Sequence, residues 1–212
     1  MEKTNRSSRN NDFGDLQMNP IIVCCHTGED LYKEGCERMT QSASVNGYET
    51  YVEEVESRGS WHANCALKPS FLLRCIEKFD VPLIWIDADG EIMRRLDAFH
   101  DPYFDFAVPW DPQRKFEWFS SGTMYFDIRK PRVVDFIKEW GIDCQPEVEG
   151  KTKKTDQTIL YHTWKRVNKI PITRLLPQGY VKVFDHGWRS GEDKVEYVRH
   201  HQASREIRKL YK

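Results

Sequence analysis

From Pro20 the chain opens on a continuous apolar run, Ile21-Ile22-Val23-Cys24-Cys25. Such a run is too short for a helix, is rich in branched side chains and does not alternate with polar residues, so it predicts a strand covered on both faces. His26-Thr27-Gly28-Glu29-Asp30 follows as a loop, and Leu31 to Val45 reads as a helix with Leu31, Met39 and Val45 among its inward positions. Glu49 to Val55 predicts a second strand and Ser57 to Trp61 a loop. Lys68-Pro69 opens a helix that runs through Phe79, since proline is tolerated in a first turn. Val81 to Ile86 (VPLIWI) repeats the unalternating apolar pattern as a third strand, and it ends directly in Asp87-Ala88-Asp89-Gly90.

Beyond this point the pattern thins. Phe104 to Val108 and Gly122 to Ile128 (GTMYFDI) predict two further strands. Pro131 to Trp140 reads as a helix with Val134, Ile137 and Trp140 on its apolar face, Gly150 to Thr155 as a basic loop, and Asp156 to Val167 as another helix. Short strands are expected around Ile170 to Leu176 and Tyr180 to Val183, before a polar tail that carries His200-His201. Strand alternating with helix through the first half implies an α/β fold with a mostly parallel central sheet and helices on both faces. No internal repeat is visible. The reading is a flexible lead-in over 1–19, one domain over 20–205 and a basic tail over 206–212.

Composition narrows the function classes. The 212 residues suit one domain, and 13% aromatic content argues against a disordered chain. Lys+Arg 32 against Asp+Glu 33 leaves a net charge of −1, so no global field draws the protein to nucleic acid or membrane. No apolar run approaches the roughly 20 residues of a membrane span. The polar first nineteen residues lack the apolar core of a secretory signal. Six cysteines show neither a C-x-x-C pair nor zinc-type spacing, and thiols in a reducing cytoplasm are expected.

The acids after the third strand carry the chemistry. Ligands of open α/β sheets bind outside the carboxyl ends of the strands, which is where Asp87 and Asp89 stand. Two acids at the exit of a buried strand repel each other unless a cation joins them, and hard cations such as Mn²⁺ and Mg²⁺ take carboxylate oxygens. A cation there can stabilise a departing diphosphate as its negative charge grows. Gly90 lets the backbone bend away.

Taken in order, IIVCCHTGEDLY, Trp61, Lys68-Pro69, IWIDADGEIMRRLD, SSGTMYFDIRKP, TDQTILYHTW and VRHHQASR resemble the GT-A fold glycosyltransferases, the nucleotide-diphospho-sugar transferases that carry a D-x-D motif. The resemblance runs from about Pro20 to Arg205. It implies that Cys25, His26 and Thr27, with Tyr32 on the next helix, lie against the donor's base and ribose, and that Lys68 belongs to the donor site. It implies metal and ribose roles for Asp87 and Asp89, and a third metal ligand at His200, with His201 as second choice. Ser121-Gly122-Thr123 would approach the donor sugar or the acceptor, Asp156 and Gln157 would lie near the transferred sugar, and Ser204-Arg205 would reach the diphosphate. The longer histidine-glycine-lysine signature of some retaining families is missing, so inversion and retention both stay open.

Each of these residues also has a plainer reading. Gly122 can simply start a strand, Asp156 can cap its helix, and His186 can be a structural or surface histidine. Trp61, Trp85 and Trp118 read as core before sugar platforms. Lys151, Lys153 and Lys154 read as a solvated loop that, once ordered, could close over the donor. The function expected is a cytoplasmic, metal-dependent glycosyltransferase acting on a saccharide or glycoconjugate. Two alternatives use the same acids. One glycosylates hydroxylated bases in DNA, drawing on Arg189, Lys194, Arg199, Arg205, Arg208, Lys209 and Lys212. The other is a nucleotidyltransferase, although the chain has no G-x-x-x-x-G-K-[ST] loop.

Overall fold

The computed structural model describes residues 19–100, 103–110, 119–187 and 194–210. Trp118, Arg189, Lys212 and nearly all of the expected lead-in lie outside them. The unalternating apolar runs become the inner strands: β1 (Ile21–His26), β2 (Thr50–Glu54) and β3 (Leu83–Ile86) pair in parallel, with β1 central. β6 (Thr123–Phe126) runs antiparallel to β3 and to β5 (Phe106–Pro109), and β7 (Thr173–Leu176) lies parallel to β5 at the edge. The order is β2-β1-β3-β6-β5-β7, with β6 alone reversed. A second sheet joins β4 (Gly90–Ile92), β9 (Val198–His200) and β8 (Lys182–Val183).

The absence of alternation has a direct cause, because the main sheet is buried on both sides. Val23, Leu83, Trp85, Met124 and Phe126 point into one core, and Ile22, Cys24, Ile84, Ile86 and Tyr125 into the other. The first core is closed by α3 (Lys68–Lys78), α4 (Pro131–Val148) and α5 (Asp156–Arg166). The second is closed by α1 (Asp30–Val45) and the small sheet. A short α2 (Trp61–Cys65) precedes α3, and α6 (Ser204–Leu210) follows β9. Among the described residues no helix is long and apolar enough to cross a membrane.

Several expectations are corrected. Leu31 and Val45 do not face inward; Val45 is 87% exposed. The buried stripe of α1 is Gly35, Cys36, Met39 and Ala43, mostly small residues. It is small because the helix seats directly on the turn after β3, where a Cβ at position 35 would overlap the Ala88 carbonyl oxygen. The helix from Pro131 does not stop at Trp140, since Cys144 and Glu147 extend its buried face past Gly141 into a last turn that holds Pro146. Val133 and Phe136, more than Val134, share that face with Ile137 and Trp140. The stretch around His200-His201 is no polar tail, because it forms β9 and is followed by α6, where Ile207 is buried. The boundary expected at 206 falls inside α6.

Gly35→Ala should therefore cost about 1–3 kcal/mol, the usual range for overpacking, and lower the melting temperature by several degrees in a thermal scan. An unchanged melting temperature would mean that α1 does not rest on the Ala88 carbonyl.

Candidate active site

The carboxyl ends of β1 and β3 open into a cavity of about 470 Å³, within the size range of small-molecule sites. Cys25 and His26 enter it from β1, Thr27 from the loop that follows, and Tyr32 from the first turn of α1. Burial pushes the Cys25 thiol up to about 12, against the pull of Lys68 and Arg74. Burial raises the Tyr32 phenol as well. Both groups therefore meet a ligand as neutral donors at physiological pH.

β3 delivers Asp87 and Asp89 on a tight turn closed by the Gly90 amide donating to the Asp87 carbonyl at 2.8 Å. The Asp87 amide donates to the Gly122 carbonyl at 2.9 Å, so the turn is stitched to the start of β6. Asp87 Oδ1 accepts from the Trp85 indole N–H at 2.7 Å and pairs with Lys68 Nζ at 2.8 Å. Asp89 is fixed at three points. Its Oδ1 lies 3.1 Å from His200 Nδ1, its Oδ2 accepts from the Ala203 amide at 3.1 Å, and its carbonyl accepts from the His201 amide at 3.0 Å. Burial disfavours the Asp89 carboxylate, but the His200 hydrogen bond and the Ala203 amide outweigh it and hold its pKa below the usual value.

The small sheet explains how His200 arrives. Antiparallel pairing sets Gly90 opposite His200, and the ring lies over Gly122, where a Cβ would come within 3.0 Å of Cε1. One ligand atom each from Asp87, Asp89 and His200 lie within 4.8 Å of one another. Two carboxylates and an imidazole form a donor set that fits Mn²⁺ or Mg²⁺, with the nitrogen better suited to Mn²⁺. His201, the second choice, turns away and pairs with Glu91 at 2.8 Å.

Asp156 is not the cap of its helix. Thr155 takes that place, its hydroxyl accepting from the Thr158 amide at 3.2 Å. Asp156 is the first helical residue, buried, with its carboxylate 2.8 Å from Lys68 Nζ. Gln157 lines the cavity beside it. Lys68 is thus the hub: its ammonium reaches Asp87, Asp156 and both oxygens of Ser121. Burial disfavours that charge, yet Asp156 and Asp87 win and raise its pKa well above the ordinary lysine value.

Arg205 is placed differently from expectation. It is bound to Asp185 at 2.6 and 3.1 Å on the exposed side of α6 and does not line the cavity. The guanidinium that enters is that of Arg208, 3.4 Å above the Trp61 ring. Trp61 and Trp85 both line the cavity, and Trp85 belongs to the core and holds Asp87 as well. His186 is exposed at the rim. Lys151, Lys153 and Lys154 are exposed and do not line the cavity. Sequence reasoning missed the Trp85 link and the Arg208 placement, the latter because 206–212 read as a basic tail and not as a helix.

The fold has counterparts among solved structures. A glycosyltransferase involved in the glycosylation of the major capsid of PBCV-1 superposes with a TM-score of 0.69 over 92% of this chain and 98% of its own, at 16% identity. The glycosyltransferase GlyE of Streptococcus pneumoniae TIGR4 gives 0.56 over 91% of this chain and 60% of its own, at 12% identity. Its apo-form gives 0.56 at 12% identity, over 92% of this chain and again 60% of its own. No protein-family profile and no curated protein sequence matches the chain. At these identities the likeness shows a shared fold, the GT-A-like α/β architecture expected from the sequence.

Removing Lys68 leaves two acids without their shared countercharge, so Lys68→Met should destabilise the metal-free protein by about 3–5 kcal/mol at neutral pH. Because the folded pKa of Lys68 is raised, its contribution is full below the ordinary lysine value of 10.5 and fades only in stronger alkali. Urea unfolding at pH 7 and pH 9 should therefore give the same large difference; a loss under about 1 kcal/mol would show that Lys68 is not what holds the acids together.

Proposed function

We propose that this chain is a metal-dependent glycosyltransferase that moves a sugar from a nucleotide-diphosphate donor to an acceptor hydroxyl of a saccharide or glycoconjugate. The observation that carries the reading is the convergence of Asp87, Asp89 and His200 beside the Lys68–Asp156 pair in one cavity. The fold shared with known glycosyltransferases agrees with it. A divalent cation held by Asp87, Asp89 and His200 would supply Lewis-acid stabilisation of the departing diphosphate.

The chain's own residues divide the remaining work. Cys25, His26, Thr27 and Tyr32 form the wall for base and ribose. Arg208 takes the diphosphate role expected of Arg205: it has no acidic partner among the described residues, and stacking on Trp61 holds its planar fork ready for phosphate oxygens. Gly122 gives the transferred sugar access to backbone. Asp156, steadied by Lys68, and Gln157 face the reacting carbon. In an inverting reaction Asp156 takes the acceptor proton; in a retaining one it steadies the positive sugar.

For the acceptor, charge pairing favours a saccharide or glycoconjugate over DNA. Arg199 is bound by Glu196, Arg205 by Asp185 and Lys209 by Glu206, so among the described residues these cations of the C-terminal region are already neutralised. A neighbour in fold that is involved in glycosylating a viral capsid supports the same class.

A thermal-shift screen against UDP-, GDP-, CMP- and dTDP-sugars, with and without Mn²⁺, tests the reading. One donor at about 100 times its Kd should stabilise by about 2.7 kcal/mol, only with the cation present. Asp89→Ala should lose that shift. Pyrophosphate release from a nucleoside triphosphate, with no response to any sugar nucleotide, would replace the proposal with nucleotidyl transfer.

Arg208→Ala should weaken donor binding about 10- to 100-fold, the worth of a charge-assisted contact, while leaving Mn²⁺ affinity unchanged in calorimetry. Arg205→Ala should leave donor affinity near the parent value. The reverse pattern would return the diphosphate role to Arg205.

A further inference from the structure

We infer that Thr123 is a positioning residue that dictates which nitrogen of His200 meets the cation. The inference rests on the proposed metal site and deepens it. The Thr123 side chain is 0% exposed, at the first position of β6, opposite Ile86 and one residue from the Asp87 turn. Its hydroxyl lies 3.2 Å from His200 Nε2, and among the described residues this is the one hydrogen bond of that oxygen. On the other side of the same ring, Nδ1 lies 3.1 Å from Asp89 Oδ1.

This arrangement gives the two nitrogens different work. An imidazole that offers its Nδ1 lone pair to a cation carries its proton on Nε2, and that N–H needs an acceptor. At a position buried from water, among the described residues Thr123 alone supplies one, in the way that outer partners of a metal-bound histidine fix its orientation. A hydroxyl is also a donor, so the same oxygen serves Nε2 when the proton sits on Nδ1 and points to Asp89. Thr123 therefore satisfies the ring in both states, whereas an apolar residue of the same shape satisfies it in neither. A flipped ring would exchange both nitrogens for carbons at these contacts. Gly122 makes the geometry attainable, because a side chain there would press on Cε1 and Nε2, at 3.0 and 3.3 Å.

Titrating Mn²⁺ into metal-free protein, with the free ion followed by electron paramagnetic resonance and no donor present, tests the inference. Thr123→Val should weaken Mn²⁺ binding by about 10- to 100-fold, the range seen when outer partners of a ligating histidine are removed, and Thr123→Ser should restore it. Equal affinity in parent and Thr123→Val would overturn the inference while leaving the metal site intact. A parent protein that binds no Mn²⁺ at all would overturn both. A second measurement needs no variant: in ¹⁵N-histidine spectra of the parent loaded with diamagnetic Zn²⁺, His200 should carry its proton on Nε2. A proton on Nδ1 in that state would overturn the assignment.

Discussion

Three carboxylates, Asp87, Asp89 and Asp156, share one cavity, and the elements around it are arranged to offset them. Lys68 answers two of them by charge, and the third, Asp89, is held by hydrogen bonding with His200 Nδ1 and the Ala203 amide. The position of Lys68 shows how strong the demand is. It opens α3, where the helix dipole disfavours a cation by about 0.3–1 kcal/mol, and it is almost fully buried, which disfavours the charge further. The two acids outweigh both effects, as the raised pKa of the ammonium records. Breaking a buried pair costs about 3–5 kcal/mol, so the acids decide where the lysine goes, not the helix.

Everything that brings His200 to Asp89 follows from backbone approach rather than from large side chains. The two residues are 111 positions apart, yet β4 and β9 place Gly90 directly across from His200. The glycines at 35 and 122 let α1 and the imidazole ring come close to the Asp87–Asp89 turn. Two cores then lock the turn from above and below, since Trp85 on one face donates to Asp87 while Ile86 on the other fills the space beneath Gly90. The small sheet thus acts as a clamp on the site, and its edge strand β8 gains its place by pairing with β9.

The parts legible in the sequence are those whose cause is local. Ile21 to Cys25 and Val81 to Ile86 announce strands buried on both faces, and the acids after the second run announce the site. What was not legible depends on contacts distant in sequence. β9 is three residues long with Val198 its single apolar member, too short for any period to show, so its histidine read as part of a tail. The inward face of α1 is made of Gly35 and Ala43 as much as Met39, and apolar periodicity does not register a helix that docks by lacking side chains. α4 passes Gly141 and Pro146, both normally breakers, because Cys144 is buried beyond the first and Glu147 beyond the second. Trp85 reads as core and is core; nothing in a sequence says that its N–H also holds Asp87.

The charges lining the cavity order the events that the proposed reaction would need. Among the described lining residues three carboxylates face two cations, Lys68 and Arg208, so acids outnumber lysine and arginine by one. A donor diphosphate is itself an anion and would meet net repulsion there. A dication reverses the sign of the cavity, after which the diphosphate is attracted and the loaded site is left with only one unbalanced charge. Arg205 does not alter this balance, because Asp185 neutralises it at the rim, but that pair anchors the helix from which Arg208 reaches inward. One turn of α6 thus carries two arginines with separate tasks: one holds the helix in place, and the other offsets one of the cavity's three acids.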